Sequence, residues 1–112
     1  MNPMHDLAYF FGGLFLSNAV PHYVSGVMGR PFQSPFARPP GKGLSSSLVN
    51  VLWGSVNLAL AWGLLARIGA FDLRAPDQAA SFFAGLLLMG VFAAKAFGRY
   101  HGGNTPAALP PA

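Results

Sequence analysis

The sequence has no cysteine and no glutamate, and its three acidic residues are all Asp. Without cysteine there is no disulfide framework, thiolate metal site or redox pair. With so few carboxylates, acid–base pairs of the glycosidase or protease type have almost nothing to be built from. Charge of any kind is scarce: Asp, Glu, Lys and Arg make up 9% of the chain, against 53% hydrophobic residues. A soluble domain carries about 25% charged residues. This surface is too poor in charge to be wetted all round, and the chain is too rich in aliphatic and aromatic residues to be disordered.

What is present are long uncharged runs. Leu7–Gly29, Gly43–Ala66 and Gln78–Ala94 contain no Asp, Glu, Lys or Arg. About 20 helical residues cross the hydrocarbon core of a bilayer. Lys95 can snorkel to the interface and extend the third run through Phe97. The expected fold is an all-α membrane protein with three transmembrane helices at about residues 7–29, 46–67 and 78–98. Residues 1–100 form a single membrane domain, followed by a flexible C-terminal tail over 101–112. The opening residues lack the basic region of a signal peptide, so the first run reads as retained.

The net charge is +4, and the basic residues sit in the connections rather than in a stripe. That placement suits membrane lipids and argues against nucleic acid. With three crossings, Arg30, Arg38, Lys42, Lys95 and Arg99 share one side, and Arg67 and Arg74 the other. The excess places the N-terminus outside and the C-terminus in the cytoplasm.

Polar residues inside the runs recur at helical spacing. Asn18, His22 and Ser25 share one face of the first helix, which Pro21 is expected to kink by removing the donor to the Ser17 carbonyl. Asn50, Gly54, Asn57 and Ala61 share one face of the second. Amides in lipid seek each other, so the Asn18/His22 face is expected to meet the Asn50/Asn57 face in one intramembrane polar cluster. His22 is either a ligand for a lipid or pigment, or a neutral imidazole bonded to neighbouring amides. The second reading weighs more, because no acidic partner is near in sequence. No metal or other cofactor is expected. Small residues recur every four positions at Ser55, Ala59 and Gly63, and at Gly90, Ala94 and Gly98, so that backbones can approach closely, within the monomer, in a homo-oligomer or against a larger membrane-protein partner.

The loop between the first two helices is rich in Pro and Gly. Arg30, Phe32, Phe36, Arg38 and Lys42 are its expected interfacial lipid or anion contacts, with rings in the acyl boundary and cations on phosphates. Gly41-Lys42-Gly43 is not a phosphate loop, since neither the required upstream Gly nor the following Ser/Thr is present. No nucleophile-and-base set, carboxylate pair or metal cluster is visible, and no enzymatic activity is expected.

Asn18-Ala19-Val20-Pro21-His22, the Pro31-to-Gly43 loop, and Ser46 through Asn50-Val51-Leu52-Trp53-Gly54 together resemble an uncharacterised family of small bacterial multi-pass membrane proteins. The resemblance spans roughly residues 11–63 and implies the bacterial cytoplasmic membrane. It implies no activity, substrate or cofactor. Three roles remain, in this order: an accessory or scaffold subunit acting by association, a homo-oligomeric channel or transporter lined by Asn and His, and a lipid or lipophilic-cofactor binding protein.

Overall fold

In the computed structural model, which describes residues 1–107, three helices carry the chain: α1 (Pro3–Val27), α2 (Ser47–Ala66) and α3 (Pro76–His101). Their ends follow from local chemistry. Asn2 caps α1, its side-chain oxygen accepting from the N–H groups of Met4 and His5, and Pro3 occupies the first turn where no donor is needed. The helix therefore starts earlier than the apolar run implies. It ends at Val27 with Met28 as the C-cap, and Gly29 just beyond takes the left-handed geometry of a helix terminus, with φ 73°. Of the serines at 45–47, Ser46 is the cap of α2, its hydroxyl accepting from Val49 N at 3.2 Å. Pro76 opens α3, and Gly102, with φ 79°, closes it.

α1 is the middle element. It packs against both α2 and α3, which make little contact with each other. Close approach of α1 and α3 depends on two glycines: a methyl group at Gly13 would run into the Phe82 carbonyl, and one at Gly85 into the Phe10 carbonyl. Among the described residues, two helices, α2 and α3, are long and apolar enough to cross a membrane by length and composition. α1 falls short in hydropathy, and its position explains why. A helix flanked on two sides uses Gly, Ser, Asn and His for packing, which dilutes its apolar character. The chain stays helical through Pro21, so the proline does not end the helix.

Burial is inverted relative to a water-soluble protein. The side chains buried most completely include Asn50 and Asn57 (both 0% exposed) and His22 (2%), whereas Leu48, Leu52, Trp62, Leu87 and Phe92 are largely exposed. Large apolar residues normally supply the core, and buried amides need partners.

Between α1 and α2 the chain forms a short antiparallel hairpin rather than an irregular path. β1 (Phe32–Gln33) pairs with β2 (Leu44–Ser45), in the register Phe32 to Ser45 and Gln33 to Leu44. At the other end, α3 runs through the first residue of the expected tail. His101 is still helical, and Asn104 folds back to donate from Nδ2 to the Lys95 carbonyl at 2.8 Å. The rest of the expected tail, 108–112, lies outside the described residues.

Candidate functional site: a polar cluster and cavity beneath the hairpin

The buried residues of α2 are Asn50, Gly54, Asn57 and Ala61, one residue per turn along a single stripe. That stripe faces α1, where Gly54 lies against the Tyr23 backbone. Two side-chain links cross the helix pair, Asn18 to Asn57 and His22 to Asn50. Asn18 Nδ2 donates to Asn57 Oδ1 at 3.0 Å, and Asn57 Nδ2 donates to the Trp53 carbonyl at 2.9 Å. One turn nearer the hairpin, His22 Nδ1 lies 2.9 Å from Asn50 Oδ1.

Asn50 ties the site to the loop. Its Nδ2 group donates to the carbonyls of Phe32 (3.2 Å), Ser45 (3.1 Å) and Ser46 (3.0 Å). Three carbonyls around one amide nitrogen settle which end of the Asn50 amide is which, since an oxygen placed there would meet only acceptors. The Asn50 atom facing His22 is therefore an acceptor, and His22 Nδ1 carries the hydrogen. The other ring nitrogen, Nε2, is left as a bare lone pair. Among the described residues nothing within the chain hydrogen-bonds it. The same logic fixes Asn18. Asn57 Oδ1 accepts, so Asn18 uses its nitrogen there and keeps its own oxygen free.

A cavity of about 190 Å³ lies next to these atoms, lined by Asn18, His22, Gln33, Ser34, Trp53 and Phe97 together with Pro35 and Gly41 of the loop. Gln33 and Ser34, from the hairpin, are 4% and 2% exposed. Ser34 and Ser45 share a hydroxyl hydrogen bond of 2.6 Å, which closes the hairpin. His101 Nε2 donates to Gln33 Oε1 at 2.8 Å, pinning the end of α3 to the same hairpin. Aromatic rings pack the edge of the site: Phe32 stands between His22 (5.6 Å), Phe97 (4.7 Å) and His101 (4.9 Å, stacked).

Phe97 also lines a second space, an apolar groove of about 600 Å³ between α1 and α3. Its floor is made of small residues, Ser17, Gly90, Ala93, Ala94 and Gly98, with Pro21 and Val20 on the α1 side.

The residues read from sequence as interfacial contacts separate. Arg30, Phe36, Arg38 and Lys42 are exposed on the loop, and Arg38 borders a loop pocket of about 450 Å³ with Phe36 and its prolines. Phe32 does not join them, because it turns inward onto His22, Phe97 and His101. Gln33, Ser34 and His101 were not singled out in the sequence, and no helical periodicity marks a hairpin residue. His101 sits one turn beyond Phe97, on the same face of α3, and that spacing was the available signal.

A carboxylate pair absent from the sequence reading is present in the fold. Asp6 and Asp77 occupy the first turns of α1 and α3, which start at the same end. Burial, and then the neighbouring Asp77, raise the Asp6 carboxyl above its ordinary range, and Asp6 Oδ1 is buried without a partner of its own. Sequence separation hid the pair, although three alternating helices place both N-termini together. No cluster of three or more His, Cys, Asp or Glu capable of holding a metal occurs among the described residues.

Comparison with family models, curated proteins and solved structures finds no match for the chain.

Proposed function

We propose that the chain is an integral membrane protein that crosses the bilayer three times and binds a lipophilic small molecule between α1, α3 and the hairpin. This moves the lipophile-binding role ahead of association, the role ranked first on sequence alone. The observation that carries it is the meeting of two complementary spaces at Phe97: an apolar groove along the helices and a polar cavity beneath the hairpin. An apolar lining with a few placed polar groups is the usual make-up of a small-molecule site. Pro21 and Ser17 border the groove, so the kink expected at Pro21 would widen this wall.

The membrane setting is supported by exposed Leu, Phe and Trp around buried amides, and by two helices of suitable length and composition. α1, at 25 residues, is about 37 Å long, enough to accompany them across. The charge asymmetry favours an outer N-terminus and a cytoplasmic hairpin and C-terminus, in a bacterial cytoplasmic membrane. The role is one of binding, without catalysis. Mass spectrometry of lipids retained by the purified protein tests it. One lipophile enriched well above the bulk membrane composition is expected, and a sample carrying only bulk lipid rules the reading out.

Association is the second reading, and a separate surface favours it. Ser55 and Ala59 are exposed on α2, and a methyl group at Gly63 would meet nothing within 4 Å. This small-residue row is open to a second copy or to a larger partner. A pore lined by Asn18, His22, Asn50 and Asn57 draws no such support, because these groups bond one another inside one chain.

A further inference from the structure

The cavity beneath the hairpin is lined by hydrogen-bonding atoms with no partner in the chain, and these select the chemistry of a guest. His22 Nδ1 donates to Asn50 Oδ1, so Nε2 presents an unprotonated lone pair at a cavity wall. Asn18 lines the same cavity and donates from Nδ2 to Asn57, which fixes the amide's orientation and leaves its oxygen as a second acceptor beside one remaining N–H. Two acceptors held in place by amides that are themselves bonded to backbone carbonyls, with the Trp53 Nε1–H buried beside them without a partner, call for a guest group that donates and also accepts. No Asp or Glu lines the cavity to neutralise a cation, and burying an unpaired charge is costly. A protonated amine is therefore disfavoured, and a hydroxyl fits. A cavity of about 150 Å³ accommodates a benzene-sized ring, so about 190 Å³ suffices for one hydroxylated six-membered ring, with Trp53 and Phe97 at its walls. Phe97 is shared with the apolar groove, which gives a hydrocarbon chain on that ring a path toward the lipid.

We infer that the lipophile proposed above, on whose binding this inference rests, carries a hydroxylated ring as its head, seated beside His22 with its O–H donating to Nε2. The chain has two tryptophans, Trp53 and Trp62, and Trp62 is exposed on α2 away from the cavity. In the full-length Trp62→Phe protein in detergent, Trp53 emission reports on the cavity alone. Titration with phenol is expected to change it saturably, and to shift the ¹⁵N resonance of the unprotonated His22 nitrogen. Anisole, the same ring with its O–H methylated, is expected to bind about tenfold more weakly or worse, because it leaves a buried acceptor unsatisfied. Equal affinity for phenol and anisole, an unmoved His22 nitrogen at phenol saturation, or a co-purifying lipophile without a hydroxyl overturns the inference while leaving lipophile binding in place. No saturable response to either ring, with only bulk lipid retained, overturns both. The ligand series leaves the His22 ring intact, so the comparison does not depend on a substitution that could unfold the site.

Discussion

Asn50→Leu is expected to be the most damaging single change in the polar cluster, and the size of the effect follows from what it strands. The wild-type amide accepts from His22 Nδ1 and donates to three carbonyls, two of them in β1 and β2. Leu keeps the branching at Cγ but is larger and has no polar atoms, so an overpacking cost adds to the substitution at Asn50 and at Asn57 alike. His22, 2% exposed, is left with a buried donor, which costs about 1–3 kcal/mol. The carbonyls lose a shared donor, worth about 1 kcal/mol more. The Ser46 carbonyl retains the Asn50 backbone N–H at 3.1 Å, so its share of the loss is small. The total is about 2–4 kcal/mol. Asn57→Leu removes only the link to half-buried Asn18 and a bond to its own helix, which in a membrane helix pair is worth about 0.6–1.7 kcal/mol. Denaturant titration in detergent measures both losses. Tryptic cleavage supplies a local readout: Arg30 and Arg38 precede proline and resist trypsin, so Lys42 reports hairpin release. Faster cutting after Lys42 is expected in Asn50→Leu and not in Asn57→Leu. Losses equal within about 0.5 kcal/mol, with unchanged cleavage, would refute the account of Asn50 as the clamp between helix and hairpin.

Three further outcomes follow from the packing and the charges. Gly85→Ala, which drives a methyl group into the Phe10 carbonyl, is expected to destabilise by about 2 kcal/mol or more, whereas Gly63→Ala, facing open space, is expected to be neutral or stabilising by up to about 1 kcal/mol; thermal melts separate them. Ala59→Leu with Gly63→Leu is expected to leave the melting temperature nearly unchanged but to abolish any cross-linked dimer or co-purifying partner, the signature of association through α2. Because the folded Asp6 carboxyl is raised above its unfolded value by burial and by Asp77, the folded state favours the protonated form: stability is highest below the ordinary Asp range and falls as pH rises through it toward the raised value. Asp6→Asn is expected to flatten that decline in a pH series of melts and to raise stability at neutral pH.

The parts of this arrangement that lie along one helix were legible, and the parts that depend on a second segment were not. Asn50, Gly54, Asn57 and Ala61 announce a buried stripe because helical geometry alone puts them on one side. The same reasoning groups Asn18 with His22. Nothing local announces that Phe32 turns inward while Phe36 stays out, since that choice depends on Phe97 and His101, far along the chain. The hairpin itself is two residues wide on each side, too short for an alternating pattern, and its closure uses Asn50 and the Ser34–Ser45 pair. Counting uncharged residues treats the three runs alike, and it took the packing order to show why α1 is the least apolar of them.

The choice of asparagine over aspartate beside His22 ties the parts of the site together. An aspartate at position 50 would also accept from Nδ1, but it would favour an imidazolium, in which both ring nitrogens are donors and the cavity wall changes sign. It would also face the three carbonyls of Phe32, Ser45 and Ser46 with oxygens where nitrogen now donates, releasing the hairpin that roofs the cavity. One amide thus performs two tasks that a carboxylate could not combine: it holds the roof by donating, and it orients the ring by accepting without charging it. The acceptor that His22 Nε2 offers and the closure of the hairpin consequently depend on the same side chain, so a substitution there that spared one and destroyed the other would break this coupling.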